Sequence, residues 1–388
     1  MDFELSEEQR QLADSLERLL NQQYGLERRK AILAAGGHSA EIWSRIAELG
    51  VLALPVSEAG GGFGGGAVDL MRPAALIGSA LVVEPVIAHL SAARLLDRCA
   101  TAVGGTAGEA LFALLQQATA GGVRLAWADA AGDGALAAGA TAGCSVRADG
   151  DGWRLDGRID GVAGAGPGAT LLVTARRSDG GRLLFVLPQD GGGARISVDP
   201  GLDNQRVATI EFAGVRLPAA ARIGGDHDAA AIAAALDDAA AFRDALLCAE
   251  AVGLIEFACA TTLDYLKTRK QFGVPIGSFQ ALQHRIVDLH VELEQVRSMA
   301  ALACSKVDTA AAGQVDAADR DRSVAAARVL IGKVADRVAQ ESVQLHGGMG
   351  MTDELKISHT FRRLTVLARQ GGTVGYFLDR FLAASRPL

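Results

Sequence analysis

Between residues 122 and 226 the chain is cut into short apolar runs, VRLAWA, CSVRADGDGWRLDG, TLLVTA, RLLFVL and ATIEF, separated by Gly- and Asp-rich turn signals. Runs of roughly 4 to 6 residues between such signals read as strands. No helix-length pattern separates them, which argues against a βαβ sheet and for an antiparallel barrel or sandwich. Asp149 to Gly152, D-G-D-G, lies between two such runs and marks a hairpin. Helical periodicity holds on either side, so the strands form a domain inserted between helical regions. The expected division is an N-terminal helical domain at 1–121, a middle β-domain at 122–228 and a C-terminal helical bundle at 229–388.

The flanks supply the helix signals. Leu12, Leu16, Leu19 and Leu20 recur at helical spacing behind Ser6, an N-cap followed by an acidic first turn. A second helix starts near Ser39 and stops before Gly50. The loop from Leu54 to Val68, LPVSEAGGGFGGGAV, has no G-K-[ST], so it is not a P-loop; it reads as close backbone approach to a ligand or another helix. Helical pattern resumes from Asp69 to about Gln117, with a break at Pro85. Beyond the β-domain, one long helix runs to Thr268, and a second from Ser278 carries the stripe Leu282, Ile286, Leu289, Leu293 and Val296. A third, from Ser323 to Leu345, stops at HGGMGM, and two shorter helices close the chain.

Composition bounds the function. At 388 residues the chain exceeds one ordinary core, and 49% hydrophobic with 21% charged residues implies substantial burial. A net charge of −7 argues against non-specific nucleic-acid binding and gives no membrane-surface signature. Cys99, Cys144, Cys248, Cys259 and Cys304 form no C-x-x-C pair and read as small core residues in a reducing compartment. No basic-then-apolar leader opens the chain and no uninterrupted apolar run reaches about 18 residues, so a cytoplasmic location is expected. The histidines show no paired spacing for a metal.

The stretch Thr268 to Gln283, TRKQFGVPIGSFQALQ, interrupts two long helices with Gly273 and Pro275. Arg269, Lys270, Gln271 and Phe272 there suit an anionic, flat ligand: a guanidinium clasps pyrophosphate bidentately while a phenyl ring lies against a heterocycle. A plain corner between helices with solvated charges is the other reading of this stretch.

Three separated segments, TRKQFGVPIGSFQ (268–280), VQLHGGMGM (343–351) and the run from Phe212 to Pro218, together with the helix, β-domain, helix order, resemble the acyl-CoA dehydrogenase family over essentially the whole chain. The resemblance implies an α+β multidomain fold: an N-terminal helical domain, a middle antiparallel β-barrel and a C-terminal four-helix bundle. It also implies FAD and an acyl-CoA thioester. Within the family, MDFELSEEQ, the GGGFGGG loop and DYLKTRKQFGVPIGSFQALQHR are most similar to the small-subunit group of pimeloyl-CoA dehydrogenases, which act beside a larger homologous chain.

On that resemblance Arg269 reaches the FAD pyrophosphate of a neighbouring subunit, Gln271 and Phe272 line the same cofactor, and Gln280 contacts its adenosine half. Gln344, Gly347 and Gly348 match the loop against which adenosine and pyrophosphate pack from the other protomer, and Thr373 matches a hydroxyl near the pyrophosphate. A site completed across two subunits implies a dimer or tetramer, of like chains or with a homologous subunit. An electron-transfer flavoprotein is the implied electron acceptor.

The chain departs from the family at the chemistry. A desolvated glutamate of pKa about 6–7 removes the α-proton in most members, ahead of a Gly-Thr pair. Here ARQGGTVGY places Gly371 at that position. In other members the glutamate stands on the helix leading into 268–283, and that position is Arg243, followed by Asp244. Two carboxylates remain as candidate bases: Glu250, about two turns beyond Arg243 on the same face, whose other reading is a structural partner for a bundle arginine, and Asp244, adjacent to Arg243 but pointing about 100° away. The family's Glu-Pro-x-x-Gly-Ser segment near the flavin is Ala128 to Asp133 here, and the usual aromatic and threonine are absent from Gly157 to Ala163. His346 is expected to cap or pack rather than catalyse, and Arg362 and Arg363 to lie on a solvated basic face or meet CoA phosphates or a distal substrate carboxylate. Three functions follow: a dehydrogenase subunit without the usual glutamate, a non-catalytic partner completing a neighbour's FAD site, or a flavin oxidase or oxygenase on the same fold.

Overall fold

Ser6 caps the first helix, its hydroxyl accepting the Gln9 N–H while the Gln9 side chain accepts the Ser6 N–H in return. The computed structural model describes residues 6–129, 143–188 and 191–385. Helices α1 (Glu7–Gln23), α2 (Leu26–Ala34), α3 (Ala40–Glu48), α4 (Ala67–Ala80), α5 (Val86–Val103) and α6 (Gly105–Thr119) precede the strands. Ser39 caps α3, and Gly50 just beyond its end takes the left-handed conformation at φ +82°, as its position predicts. The glycine loop closes on its own preceding turn: Phe63 N–H donates to Ala53 and Gly64 N–H to Val56, and a Cβ on Gly62 would lie 2.2 Å from the Val56 carbonyl. The close approach is therefore internal to the loop.

Among the described residues seven strands follow: β1 (Arg124–Asp129), β2 (Gly143–Asp149), β3 (Gly152–Ala163), β4 (Ala169–Arg176), β5 (Arg182–Leu187), β6 (Arg195–Pro200) and β7 (Arg206–Leu217). The D-G-D-G hairpin is present, with Asp149 opposite Gly152. Strand order is β1-β4-β2-β3-β7-β6, with β5 on β4. One expectation changes: β1 and β4 run parallel, as does the single β2–β4 bridge, so the sheet is mixed. A parallel pair needs a long crossover. Here the β2–β3 hairpin lies within that connection and takes the place of a helix, which is why a search for helices between strands missed it.

Two compact units result. The sheet unit, Ala35–Gly66 and Val83–Arg243, holds one core inside the sheet, with Leu155, Ile159, Leu171, Phe185 and Ile210. A second core packs α5 residues Leu95, Leu96 and Cys99 on Leu125, Trp127 and Leu172.

The helical unit comprises Met1–Ala34, Ala67–Val82 and Asp244–Leu388. Its helices include the greater part of α7 (Ala229–Thr268), α8 (Gln280–Ala311), α9 (Ala317–His346), α10 (Lys356–Leu367) and α11 (Val374–Ser385). Helices α4 and α7 meet at glycines: a Cβ on Gly253 would lie 1.8 Å from the Ala75 carbonyl, and one on Gly78 2.3 Å from that of Glu250. The Asp308 carboxylate of α8 accepts the N–H groups of Ala67 and Val68, capping α4 from another helix. Among the described helices only α7 is long and apolar enough to cross a membrane; 67% of its most apolar window is buried inside the fold, which makes it a core helix. All five cysteines are buried and free, and burial pushes the thiols of Cys99, Cys144, Cys248 and Cys259 up to about 12.

Candidate cofactor and catalytic site

Helix α7 ends where Arg269 N–H donates to Tyr265 and the Thr268 hydroxyl donates back to Asp264. The chain then makes the smallest possible hairpin, β8 (Lys270–Gln271) against β9 (Val274–Pro275), with Phe272 and Gly273 between them. Both turn residues have positive φ, +54° and +81°, the signature of a type I′ turn. Asn-Gly is the usual pair there, because a bulky residue in the left-handed region costs about 1–2 kcal/mol. Phe272 accepts that cost while 91% exposed, its ring edge-on to Phe279 at 6.1 Å. Among the described residues, neither packing nor backbone preference accounts for a phenylalanine here.

The neighbouring polar groups are likewise unspent. Arg269 and Gln280 are exposed, and among the described residues neither side chain makes a hydrogen bond or ion pair. Gln271 donates only to the adjacent Lys270 carbonyl. Helix α8 starts at Gln280 with Phe279 as an N-cap that supplies no side-chain acceptor, the Leu282 and Gln283 N–H groups donating to the Phe279 carbonyl; the positive end of a helix dipole without a capping side chain favours anions.

Helix α9 stops at His346, where Gly347 takes φ +61°. A Cβ on Gly347 or Gly348 would meet nothing within 4 Å, so both present open backbone surface beside the exposed Gln344. His346 is buried, hydrogen-bonded to the Ser342 carbonyl at 2.8 Å and stacked on Tyr265 at 4.5 Å. Burial holds its pKa below the usual value, so it packs as a neutral ring. This stack brings the ends of α7 and α9 together, and with them the two segments singled out in the sequence.

Glu250 is where sequence and structure most needed each other. It lies in the interior, and both its oxygens are taken by Arg363: Nε to Oε1 at 2.6 Å and Nη2 to Oε2 at 2.7 Å. Arg363 is buried too, which corrects its expected place on a solvated face; Arg362 beside it pairs with Asp353. The third donor of Arg363, Nη1, reaches the Gln370 side chain at 3.0 Å. Arg328 donates to the carbonyls of Leu367 and Gln370. The turn carrying Gly371 is thus held from two sides.

Gly371 is buried at φ +76°. Thr373 follows as the cap of α11, its Oγ1 accepting the Tyr376 N–H at 3.2 Å. In the sheet unit, the Arg243 guanidinium lies 5.5 Å over the Trp127 ring. Asp244, in the helical unit, faces Arg380 at 3.7 Å. Ala130 to Asp133 fall outside the described residues.

Sequence reasoning missed Arg328, Arg363 and Gln370 as anchors of this turn. A signal was present: Arg363 falls on the inner stripe of α10 with Thr360, Leu364 and Leu367. A charge on an apolar stripe requires a buried partner.

The acyl-CoA dehydrogenase C-terminal domain family matches residues 239–382 and the N-terminal domain family matches residues 6–101. The chain is 28% identical to the acyl-CoA dehydrogenase FadE12 of Mycobacterium tuberculosis over 349 residues, 83% of this chain and 81% of that protein. Its fold superposes on the FAD complex of PigA with a TM-score of 0.83 and 26% identity, covering 99% of this chain and 98% of that one. It superposes on the Tcur3481–Tcur3483 steroid ACAD with a TM-score of 0.82 and 25% identity, covering 97% of both chains.

Proposed function

The chain belongs to the acyl-CoA dehydrogenase family, flavoprotein oxidoreductases that act on CH–CH groups, and we propose that it serves as a subunit that completes an FAD site beside a homologous chain carrying the proton-accepting carboxylate. The observation that carries this reading is the Glu250–Arg363 pair. Both candidate carboxylates face cations: Asp244 faces Arg380, and Glu250 has both oxygens in charge-assisted hydrogen bonds to a buried guanidinium that taking up a proton would break. With Gly371 and Arg243 at the positions where relatives place glutamate, the base falls to the partner.

The residues present suit FAD. Arg269 offers an unpaired fork to the pyrophosphate, Gln280 and Gln344 offer carboxamides to adenosine, and Gln271 and Phe272 offer an amide and an exposed ring beside the cofactor. Gly347 and Gly348 admit close approach, and Thr373 keeps a hydroxyl proton to donate. FAD, when bound, supplies the hydride acceptor. This chain's contribution is to hold its anionic half, with Arg269 and the α8 N-terminus opposing the phosphate charge.

The pairing of two chains named for the Tcur3481–Tcur3483 steroid ACAD supports a two-chain assembly. An acyl-CoA substrate, an electron-transfer flavoprotein as acceptor and a cytoplasmic setting complete the proposal.

The test is to purify the chain alone and with a co-expressed homologous subunit, and measure flavin content and dye reduction with medium-chain and dicarboxylyl-CoA thioesters. Activity only in the pair, lost on Arg269→Ala in this chain with loss of flavin, supports the reading. Full turnover by this chain alone, abolished by Glu250→Gln in a protein of unchanged stability, would sink it. Rapid reoxidation of reduced flavin by air would favour the oxidase reading.

A further inference from the structure

The sheet unit holds a cavity of about 220 Å³ that the FAD reading does not use. Gly37, His38, Arg124, Gly164, Pro167 and Arg206 are in its wall. Arg124 opens β1 and donates Nε to the Gly164 carbonyl and Nη2 to that of Pro167, both at 3.0 Å. Arg206 opens β7, its stem laid against Gly37, where a Cβ would come 2.8 Å from the arginine Cγ. Gly37 has φ +80°, so this position favours glycine for its backbone as well as for its space.

The charge here is unbalanced. Arg206 Nε and His38 Nδ1 are both buried and have no hydrogen-bond partner among the described residues. No described acidic side chain pairs with Arg124, Arg206 or His38. Glu84, between wall residues Val83 and Pro85, accepts the Ser39 N–H at 2.9 Å through Oε1. Burial, and after it the Arg124 guanidinium, holds the His38 pKa below its usual value, and burial does the same to Arg124. Buried donors without acceptors are costly, and in a chain of net charge −7 a pocket lined by two guanidiniums and an imidazole is a local exception.

We infer that this cavity binds a small oxyanion, a carboxylate or phosphate group, held by Arg206 and Arg124 with His38 Nδ1 as a third donor. The guanidinium fork matches either anion, and the volume admits a headgroup rather than a nucleotide. The anion has two possible sources, free phosphate or the end group of a dicarboxylic ligand.

Calorimetric titration of the full chain with inorganic phosphate and, separately, with glutarate, at ionic strength fixed with chloride, tests this without flavin or partner, so its outcome is independent of the subunit reading. Saturable binding near one equivalent is expected, weakened at least about tenfold by Arg206→Gln. Saturation by phosphate alone assigns the first source; saturation by glutarate assigns the second. Arg124→Gln also frees the loop at Gly164 and Pro167, so Arg206 carries the decision, with Arg206→Lys, which keeps charge and loses the fork, as the milder variant. Heats that grow linearly with concentration and are unchanged in both Arg206 variants would overturn the inference.

Discussion

Replacing Glu250 with glutamine separates a structural carboxylate from a catalytic one, because the two roles predict opposite readouts. The carboxylate receives two hydrogen bonds, at 2.6 and 2.7 Å, from a guanidinium that is itself only 6% exposed. Glutamine keeps one acceptor and turns an NH₂ toward Arg363, leaving a buried cation uncompensated. Breaking one side of such a pair costs about 3–5 kcal/mol. Urea denaturation of the isolated chain should therefore show Glu250→Gln losing that amount. The double variant Glu250→Leu with Arg363→Met should recover most of it, short of about 1 kcal/mol for the hydrogen bond that Gln370 loses. With the single variants Glu250→Leu and Arg363→Met, the double variant closes a cycle that measures the coupling between the two side chains. If Glu250→Gln stays within about 0.5 kcal/mol of the parent, the ion pair is not the reason for Glu250 and the argument fails.

Three further outcomes follow from the geometry. Gly253→Ala places a methyl group 1.8 Å from the Ala75 carbonyl and should cost about 3 kcal/mol or more by urea denaturation, since α4 and α7 must separate. Phe272→Asn puts the favoured residue into the type I′ turn and should leave the isolated chain equally stable or about 1 kcal/mol more so, while flavin retention in the assembled protein falls. His89 accepts the Leu125 N–H at Nδ1, and burial, reinforced by Arg124, pushes its pKa down to about 3 from 6.5. The folded state thus favours the neutral ring, so the contribution is complete above about pH 6.5 and is lost at about 1.4 kcal/mol per unit as pH falls toward 3. Denaturation curves at pH 7, 6 and 5 should show this slope, and His89→Gln should flatten it.

Much of the fold was legible because it rests on local signals. Ser6 and Ser39 cap helices for the reason their spacing gives, and the type I′ turn at Phe272–Gly273 sits where Gly273 and Pro275 break the helix pattern. What could not be read was pairing between distant segments. The parallel β1–β4 contact joins residues about 45 apart across a hairpin, and Asp308 caps a helix that starts 241 residues earlier. The segments proposed to hold FAD were picked out by residue identity, and their exposure leaves their side chains free for a ligand. The oxyanion pocket left no motif: His38, Arg124 and Arg206 come from three separate segments and look like ordinary surface charges until the chain folds.

Glu250 shows how far positioning and chemistry can part within one site. Arg363 holds Gln370, and Arg328 holds the backbone of the same turn, so residues 368–373 are fixed whether or not the turn carries a base. That rigidity sets Thr373 as the cap of α11 and leaves its proton directed elsewhere. A subunit that retained only the need to present Thr373 and Arg269 to a cofactor would keep the Glu250–Arg363–Gln370 relay and relax the demand at position 371. The glycine there meets that expectation: buried at φ +76°, it takes a conformation that a glutamate would adopt only with strain. On the proposed function, the buried relay and the glycine at 371 both fit a chain that holds the cofactor while its partner accepts the proton.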